Sequence, residues 1–297
     1  MIALNRRYSY EDIFQGMEEL FRRYPDFTVC RSIGTSHDGR DIPMMRVGLG
    51  KKTLVLTAGI HGRESVNPVL LVKMLEDYCQ AFQDREERYG YPVQTLLNGC
   101  SVVVIPLVNP DGYEIALRGF SVIHNPVLRQ LCKMKEMRLA ANWKYNCRGV
   151  DINRNFPCRS YIQQQLGEYP ASENETQALI QVFQDYDTLG YVDFHSRGRI
   201  IYYYRQAMPF AYNQRNHKLA RYLQKLSDYS LGKREEEYLS HLNGGRPVNY
   251  FSEFLGKPAI TVETVEEDAS YPLDPSYQEK TYREICALPL ELLSRAK

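Results

Sequence analysis

Short runs of β-branched and aliphatic residues alternate along this chain with segments whose apolar positions recur at helical spacing. Thr53–Thr57 (TLVLT), Ser101–Ile105 (SVVVI), Gly190–Phe194 (GYVDF) and Ala259–Val262 (AITV) are near-continuously apolar. Such runs predict strands buried on both faces rather than strands with one wet side. Pro68–Phe82 and Glu173–Tyr186 carry apolar residues at helical spacing, and Asn213–Ser230 and Tyr277–Ala296 predict amphipathic helices. Val29–Val47, with Gly39-Arg40 in its middle, predicts an edge hairpin. Buried strands between helices imply an α/β fold whose sheet is covered on both faces. No internal repeat, low-complexity stretch or linker interrupts the chain, so one domain spanning residues 1–297 is expected.

Polar groups collect where these predicted strands end. His61 follows the first strand, Asn109-Pro110-Asp111-Gly112 follows the second, Asp193-Phe194-His195-Ser196 closes the third, and Glu263 closes the fourth. In open α/β sheets, ligands bind in the crevice beyond the carboxyl ends of the strands. A neutral imidazole and a carboxylate three residues apart, His61 and Glu64, suit a divalent transition metal and zinc above all. A lone His-x-x-Glu is chance-prone. His195 is the natural third ligand, completing a His₂Glu set that leaves a position for water. Asp193, on the same strand face, is placed to orient a neighbouring ligand. His37, His124, His217 and His241 lie in polar or helical contexts, where solvated or packing roles are expected.

Composition narrows the class of partner. Hydrophobic residues at 43% and charged residues at 25% are ordinary for a globular chain. A net charge of +1 offers no electrostatic attraction to nucleic acid or an anionic membrane, and neither is expected as a partner. The N-terminal stretch lacks an apolar signal core, and no run is long enough to span a bilayer. Seven cysteines without CxxC pairs form neither a disulfide framework nor a thiolate zinc site. Free thiols and a cytoplasmic location are expected. The 23 tyrosines suit either a cleft lining or half-buried packing.

HGRE at 61–64, NPDG at 109–112, GVDINRNFP at 149–157, DFHS at 193–196 and TVE at 261–263 resemble, in order, the motifs of carboxypeptidase A-like zinc metallopeptidases. The resemblance implies a single-domain α/β/α sandwich around a central mixed sheet of about eight strands. It also implies one zinc ion per chain, held by His61, Glu64 and His195. Glu263 resembles the general base that takes a proton from the attacking water and returns it to the leaving amine. Glu266, Glu267 and Asp268 fall past the strand and are expected to be solvated. Arg154, with Asn153, resembles the clamp for a substrate's terminal carboxylate, to which a guanidinium fork pairs bidentately. Arg63 resembles the residue that contacts substrate on the other side of the scissile bond.

Departures from the family pattern bear on specificity. Where digestive members have Trp-Arg, this chain has Trp143-Lys144, so positive charge at the developing oxyanion falls to Lys144 or Arg148. The family's mobile tyrosine, counted back from Gly244-Gly245, lands on Ser240 and leaves Tyr238 as the candidate. No propeptide is expected ahead of the catalytic unit. After the glycine pair the chain reads Arg246-Pro247-Val248-Asn249, with neither an acid for basic side chains nor an apolar slot. Arg246, Arg197 and Arg199 either greet an extra carboxylate or sit in structural ion pairs. WKYNCRGVDINRNFP and DFHSRG resemble bacterial γ-D-glutamyl-diaminopimelate peptidases, whose substrate carries a second amino-acid head. The expectation is a zinc-dependent peptidase acting on small peptides with a free C-terminal carboxylate, murein-type peptides foremost. A deacylase or amidohydrolase of the same fold is the alternative, although such relatives often lack the clamp. An inactive binding module is disfavoured by the intact ligand set.

Overall fold

A computed structural model of the chain describes residues 2–135, 140–238 and 244–295. Helix α1 (Tyr10–Arg23) opens on a capping box in which Ser9 and Asp12 satisfy each other's backbone N–H groups. Strands β1 (Thr28–Thr35) and β2 (Asp41–Val47) form the expected antiparallel hairpin at one edge. Next come β3 (Lys52–Thr57), α2 (Val66–Asp84), the small ribbon β4 (Glu87–Arg88) with β5 (Tyr91–Pro92), α3 (Val93–Gly99) and β6 (Cys100–Ile105). Helices α4 (Pro110–Arg118), α5 (Pro126–Lys135) and α6 (Asn174–Asp185) lead to β7 (Asp187–Ser196) and β8 (Ile200–Tyr202). The rest comprises α7 (Phe210–Ser227), β9 (Ser230–Leu231), α8 (Pro247–Leu255), β10 (Ala259–Thr264), α9 (Tyr277–Ile285) and α10 (Leu288–Ser294).

Among the described residues, one eight-stranded mixed sheet runs β1-β2-β6-β3-β7-β10-β8-β9. Its middle four strands, β6, β3, β7 and β10, are mutually parallel, and antiparallel pairings with β2 and β8 flank them. Strand alternation sends Leu54, Leu56, Val102, Val104, Val192 and Phe194 to one face, where they pack with α1, α2, α7, α9 and α10. Val55, Val103, Ile105 and Tyr191 face the other way, onto α6 and α8. A period of two with both faces apolar is what makes these strands read as continuous hydrophobic runs. The result is a single α/β/α sandwich.

Two expected helices end differently, each for a local reason. The segment expected as Asn213–Ser230 starts earlier and stops at Ser227, because Asp228 turns left-handed (φ 59°) and its N–H caps Gln224 O. Aspartate tolerates that conformation, and Ser230 is thereby freed to pair in β9. The C-terminal segment splits into α9 and α10. Pro289 sits in the first turn of α10, where its missing N–H has no helical partner to lose.

Parallel pairing aligns the functional ends. His195 is directly beside Glu263, and Thr57 is beside Asp193. All seven cysteines are free thiols. Among the described residues no helix is long and apolar enough to cross a membrane.

Candidate active site

Past β3 the chain turns sharply, and Gly62 lies so close to the Asn109–Gly112 loop that a Cβ would fall 2.0 Å from Gly112 O. Asn109 ties this corner together. Its amide donates to Ile60 O and Tyr145 O, and its side-chain oxygen accepts from Gly112 N. The motif NPDG is thus a brace under the site. On that corner, His61 Nδ1 lies 2.7 Å from Glu64 Oε1, while His195 Nδ1 lies 3.1 Å from Glu64 Oε2. The outward nitrogens each meet a carboxylate: His61 Nε2 is 3.3 Å from Asp151 Oδ1, and His195 Nε2 is 2.9 Å from Asp193 Oδ2. Asp193 is itself held by Thr57, whose hydroxyl donates to it at 2.7 Å. Ser196 N donates to Glu64 Oε2 at 3.0 Å, which pins the central carboxylate.

Carboxylates only accept, so a neutral ring that frees its Nδ1 for a metal keeps its proton on Nε2 and donates it to Asp151 or Asp193. Each Nδ1 then turns toward the oxygens of Glu64, and one ligand atom from each of the three residues falls within 4.8 Å of the others. Three acceptors converging in a buried place repel one another unless a cation or extra protons lie between them. The electrostatics agree. Burial alone would raise Glu64, but the His61 and His195 rings draw it down to about 2. Burial would lower the two imidazoles, and their carboxylate neighbours raise both instead. Two imidazole nitrogens and a carboxylate, each imidazole backed by a second carboxylate, fit a zinc ion.

A second donor group, His37, Glu173 and Glu175, also gathers within 4.8 Å. There Glu173 is already fully engaged by Ser172, Asn146, Arg148 and His37. The donors of the protein itself thus occupy Glu173 in that group.

Two compartments open from the His61–Glu64–His195 cluster. The outer one has a volume of about 700 Å³, and its walls include Arg63, Lys144, Arg197, Tyr202, Glu263 and Tyr271. The inner one, about 180 Å³, is walled by Asn153, Arg154, Tyr202, Glu237, Arg246 and Glu263 among others. Glu263 and Tyr202 face both. Burial, reinforced by nearby Glu64, raises Glu263 to about 7. Burial lowers Arg154 to about 10. Its guanidinium donates to Asn153 O at 2.6 Å and has no carboxylate within ion-pair distance among the described residues. Arg246, by contrast, is paired to Glu237 at 2.8 Å, and Glu237 also binds the buried Arg205.

The remaining expectations divide. Lys144 reaches the outer compartment and pairs with Asp151 at 2.6 Å. Arg148 points elsewhere, to Glu173 at 3.3 Å. Tyr238 is exposed, with its ring against Tyr204. Ser240 and His241 lie outside the described residues. Arg199 turns away from the cleft into ion pairs with Glu284 (2.6 Å) and Glu266 (3.4 Å). Glu266 is therefore an ion-pair partner, held also by Lys280, rather than merely solvated. His37 is half-buried against Glu173. Asp151, Tyr202, Glu237 and Tyr271 were not singled out from the sequence. Asp151 alone had a signal, as the acid inside GVDINRNFP.

A mixed sheet between two helical layers, with two histidines and a glutamate gathered at its carboxyl edge, defines an α/β/α protein with a candidate metal centre. Residues 13–287 match the zinc carboxypeptidase family, and the chain belongs to it. It is 26% identical over 215 residues to γ-D-glutamyl-L-diamino acid endopeptidase 1 of Lysinibacillus sphaericus, covering 67% of this chain and 52% of that protein. The chain spans about half the length of the curated relatives it matches. Bovine thrombin-activatable fibrinolysis inhibitor, in complex with tick carboxypeptidase inhibitor, superposes with a TM-score of 0.75 at 19% identity, covering 98% of this chain and 97% of that one. Murein-tripeptide amidase from Escherichia coli O157 gives 0.54 at 20% identity over 91% and 93%. These two likenesses establish the fold.

Proposed function

We propose that the chain is a zinc-dependent peptidase that removes the residue at the carboxyl end of small peptides, with murein-type γ-D-glutamyl-diaminopimelate bonds as its natural class. One observation carries the reading. Arg154 is a half-buried guanidinium without an anionic partner among the described residues, in a small compartment that ends beside the candidate metal ligands and Glu263. An unanswered buried cation is costly, and a substrate carboxylate relieves that cost in bidentate geometry. A pocket of about 180 Å³ between that cation and the ligands accommodates one terminal residue. The name of the Lysinibacillus sphaericus relative, which refers to γ-D-glutamyl and diamino-acid groups, supports the substrate class.

His61, Glu64 and His195 would hold the zinc ion, which when bound would supply Lewis acidity toward water and the substrate carbonyl. The chain's own groups do the rest. Glu263 takes the proton of the attacking water and delivers it to the departing amine, a task suited to a carboxyl held near neutrality. Lys144 brings positive charge to the carbonyl oxygen as negative charge develops there. Arg154 and Asn153 hold the terminal carboxylate, and Arg246, tethered by Glu237, lines the pocket for the side chain. Arg63 meets the acyl side.

The test is a matched pair of peptides, one with a free terminal carboxylate and one amidated, assayed on wild type and Arg154→Ala. The substitution should cut kcat/KM for the free acid by ~100-fold or more, since two charge-assisted hydrogen bonds are lost. The amidated peptide should lose far less. Equal losses would refute the exopeptidase reading, and a panel including L-Ala-γ-D-Glu-diaminopimelate checks the substrate class.

A further inference from the structure

The outer compartment holds more positive charge than peptide-bond cleavage requires. Lys144 is answered by Asp151 at 2.6 Å. Arg63 and Arg197 are not: neither has a carboxylate within ion-pair distance among the described residues. Arg63 donates only to Asn142 O, at 3.5 Å, and its buried Nε–H has no acceptor. Arg197 donates to the backbone oxygen of Glu267. Both guanidinium groups flank the ring of Tyr271, with their central carbons 4.4 Å and 5.3 Å from its centroid. The ring is fixed in turn, because its hydroxyl donates to Ser196 O at 2.8 Å. The acids lining this compartment are Glu64 and Glu263 at the metal cluster and Glu267 on its exposed rim.

Unanswered cations therefore stand on both sides of the candidate metal ligands, Arg154 in the inner compartment and Arg63 with Arg197 in the outer. The inner one suits the terminal carboxylate. From the outer pair we infer that the enzyme also reads a second carboxylate, carried by the acyl residue whose carbonyl is attacked. This rests on the peptidase reading above and deepens it. The chemical class is a glutamyl residue with one carboxyl in the scissile amide and the other free. A γ-linked glutamyl residue meets that description through its α-carboxylate, and an α-linked one through its side chain. In both, the free carboxylate lies the same number of bonds from the scissile carbonyl. Arg197 is thus a specificity-determining residue, with Tyr271 as the platform that holds its guanidinium in the cleft. The location corrects the sequence expectation that grouped Arg197 with Arg246, since the two line different compartments.

The test uses two pairs of dipeptides with one common leaving residue: γ-D-glutamyl with its α-amide counterpart, and α-glutamyl with its glutaminyl counterpart. Binding is measured by calorimetry on zinc-loaded Glu263→Gln protein, so the readout does not depend on turnover. In at least one pair the free acid should bind ~10-fold or more tighter than the amide, the scale of a charge-assisted hydrogen bond. Adding Arg197→Gln should bring that ratio close to one, and Arg197→Lys should keep part of it. A merely structural role for Arg197 would shift acid and amide together and leave the ratio intact. An acid-to-amide ratio near one without the Arg197 change, or a ratio that survives Arg197→Gln, overturns the inference. Turnover by wild type is scored separately. If none of the four is cleaved, the peptidase reading fails, while the binding ratios still decide the subsite. Which pair shows the effect distinguishes γ-linked from α-linked glutamyl peptides.

Discussion

Replacing Glu175 by Gln should change how stability depends on pH. Glu175 lies in the first turn of α6, wholly buried, with Oε1 lacking a hydrogen-bond partner among the described residues and Oε2 only 3.4 Å from Asn146 Nδ2. Burial, with Asp111 and Glu173 nearby, raises its carboxyl from 4.5 to about 7 against the pull of His37. In the folded protein it therefore keeps its proton to higher pH than in the unfolded chain. As pH rises from about 4.5 to about 7, the unfolded chain ionises first, so stability present in acid is lost through that window. Moving a carboxyl by this amount corresponds to about 3 kcal/mol, all of it felt by pH 8. The amide that replaces the carboxyl in the variant does not titrate. Urea unfolding at pH 5 and pH 8 should show wild type losing about 2–3 kcal/mol more than Glu175→Gln over that interval. His37, raised by its hydrogen bond to Glu173 and further by Glu175, loses charge in the same direction in both proteins, so the difference between the two curves reports Glu175 together with its coupling to His37. Parallel curves would refute the reasoning, whatever their offset.

Two further outcomes concern the cleft. Glu263→Gln should retain zinc by metal analysis while turnover falls ~100-fold or more, the scale of a lost general base. In wild type, with Glu263 raised to about 7 and a zinc cation drawing it back down, log kcat/KM should climb with pH and level off at or below neutrality. The variant should lack that limb, and a retained limb would assign it to another group. Lys144→Gln should lower kcat ~100-fold, as loss of an oxyanion partner does, whereas Arg148→Gln should act on stability through its Glu173 contact. The reverse pattern would give Arg148 the oxyanion role.

What was legible in the sequence is what depends on local chemistry. The buried strands read as apolar runs because both faces are covered, and the polar residues at their ends fall at one edge because the strands are parallel. His61, Glu64, His195 and Glu263 were visible for that reason. Charge partners were not. Arg199 meets Glu284, Arg148 meets Glu173 and Arg246 meets Glu237, and each pairing depends on how the chain folds back between segments outside one helix or strand. Local periodicity does not encode such meetings. Tyr202 and Tyr271 were lost among 23 tyrosines for the same reason. The break between α9 and α10 was missed because Pro289 reads equally as a helix stop and as a helix start.

The two compartments have in common only His61, Tyr202 and Glu263 among their lining residues. Apart from the neighbours His195 and Ser196 on β7, most of their remaining walls come from separate stretches: 63–64, 142, 144–145, 197, 267 and 271 on the outer side, 153–154, 236–237, 246 and 261 on the inner. Selectivity on the two sides of the cut bond is therefore separable in evolution and in the laboratory. A library varied at 197 and 271 would search acyl groups while leaving the terminal-residue pocket untouched, and one varied at 237 and 246 would do the converse. Gains from the two searches should combine nearly additively, because none of the four varied positions lines both compartments.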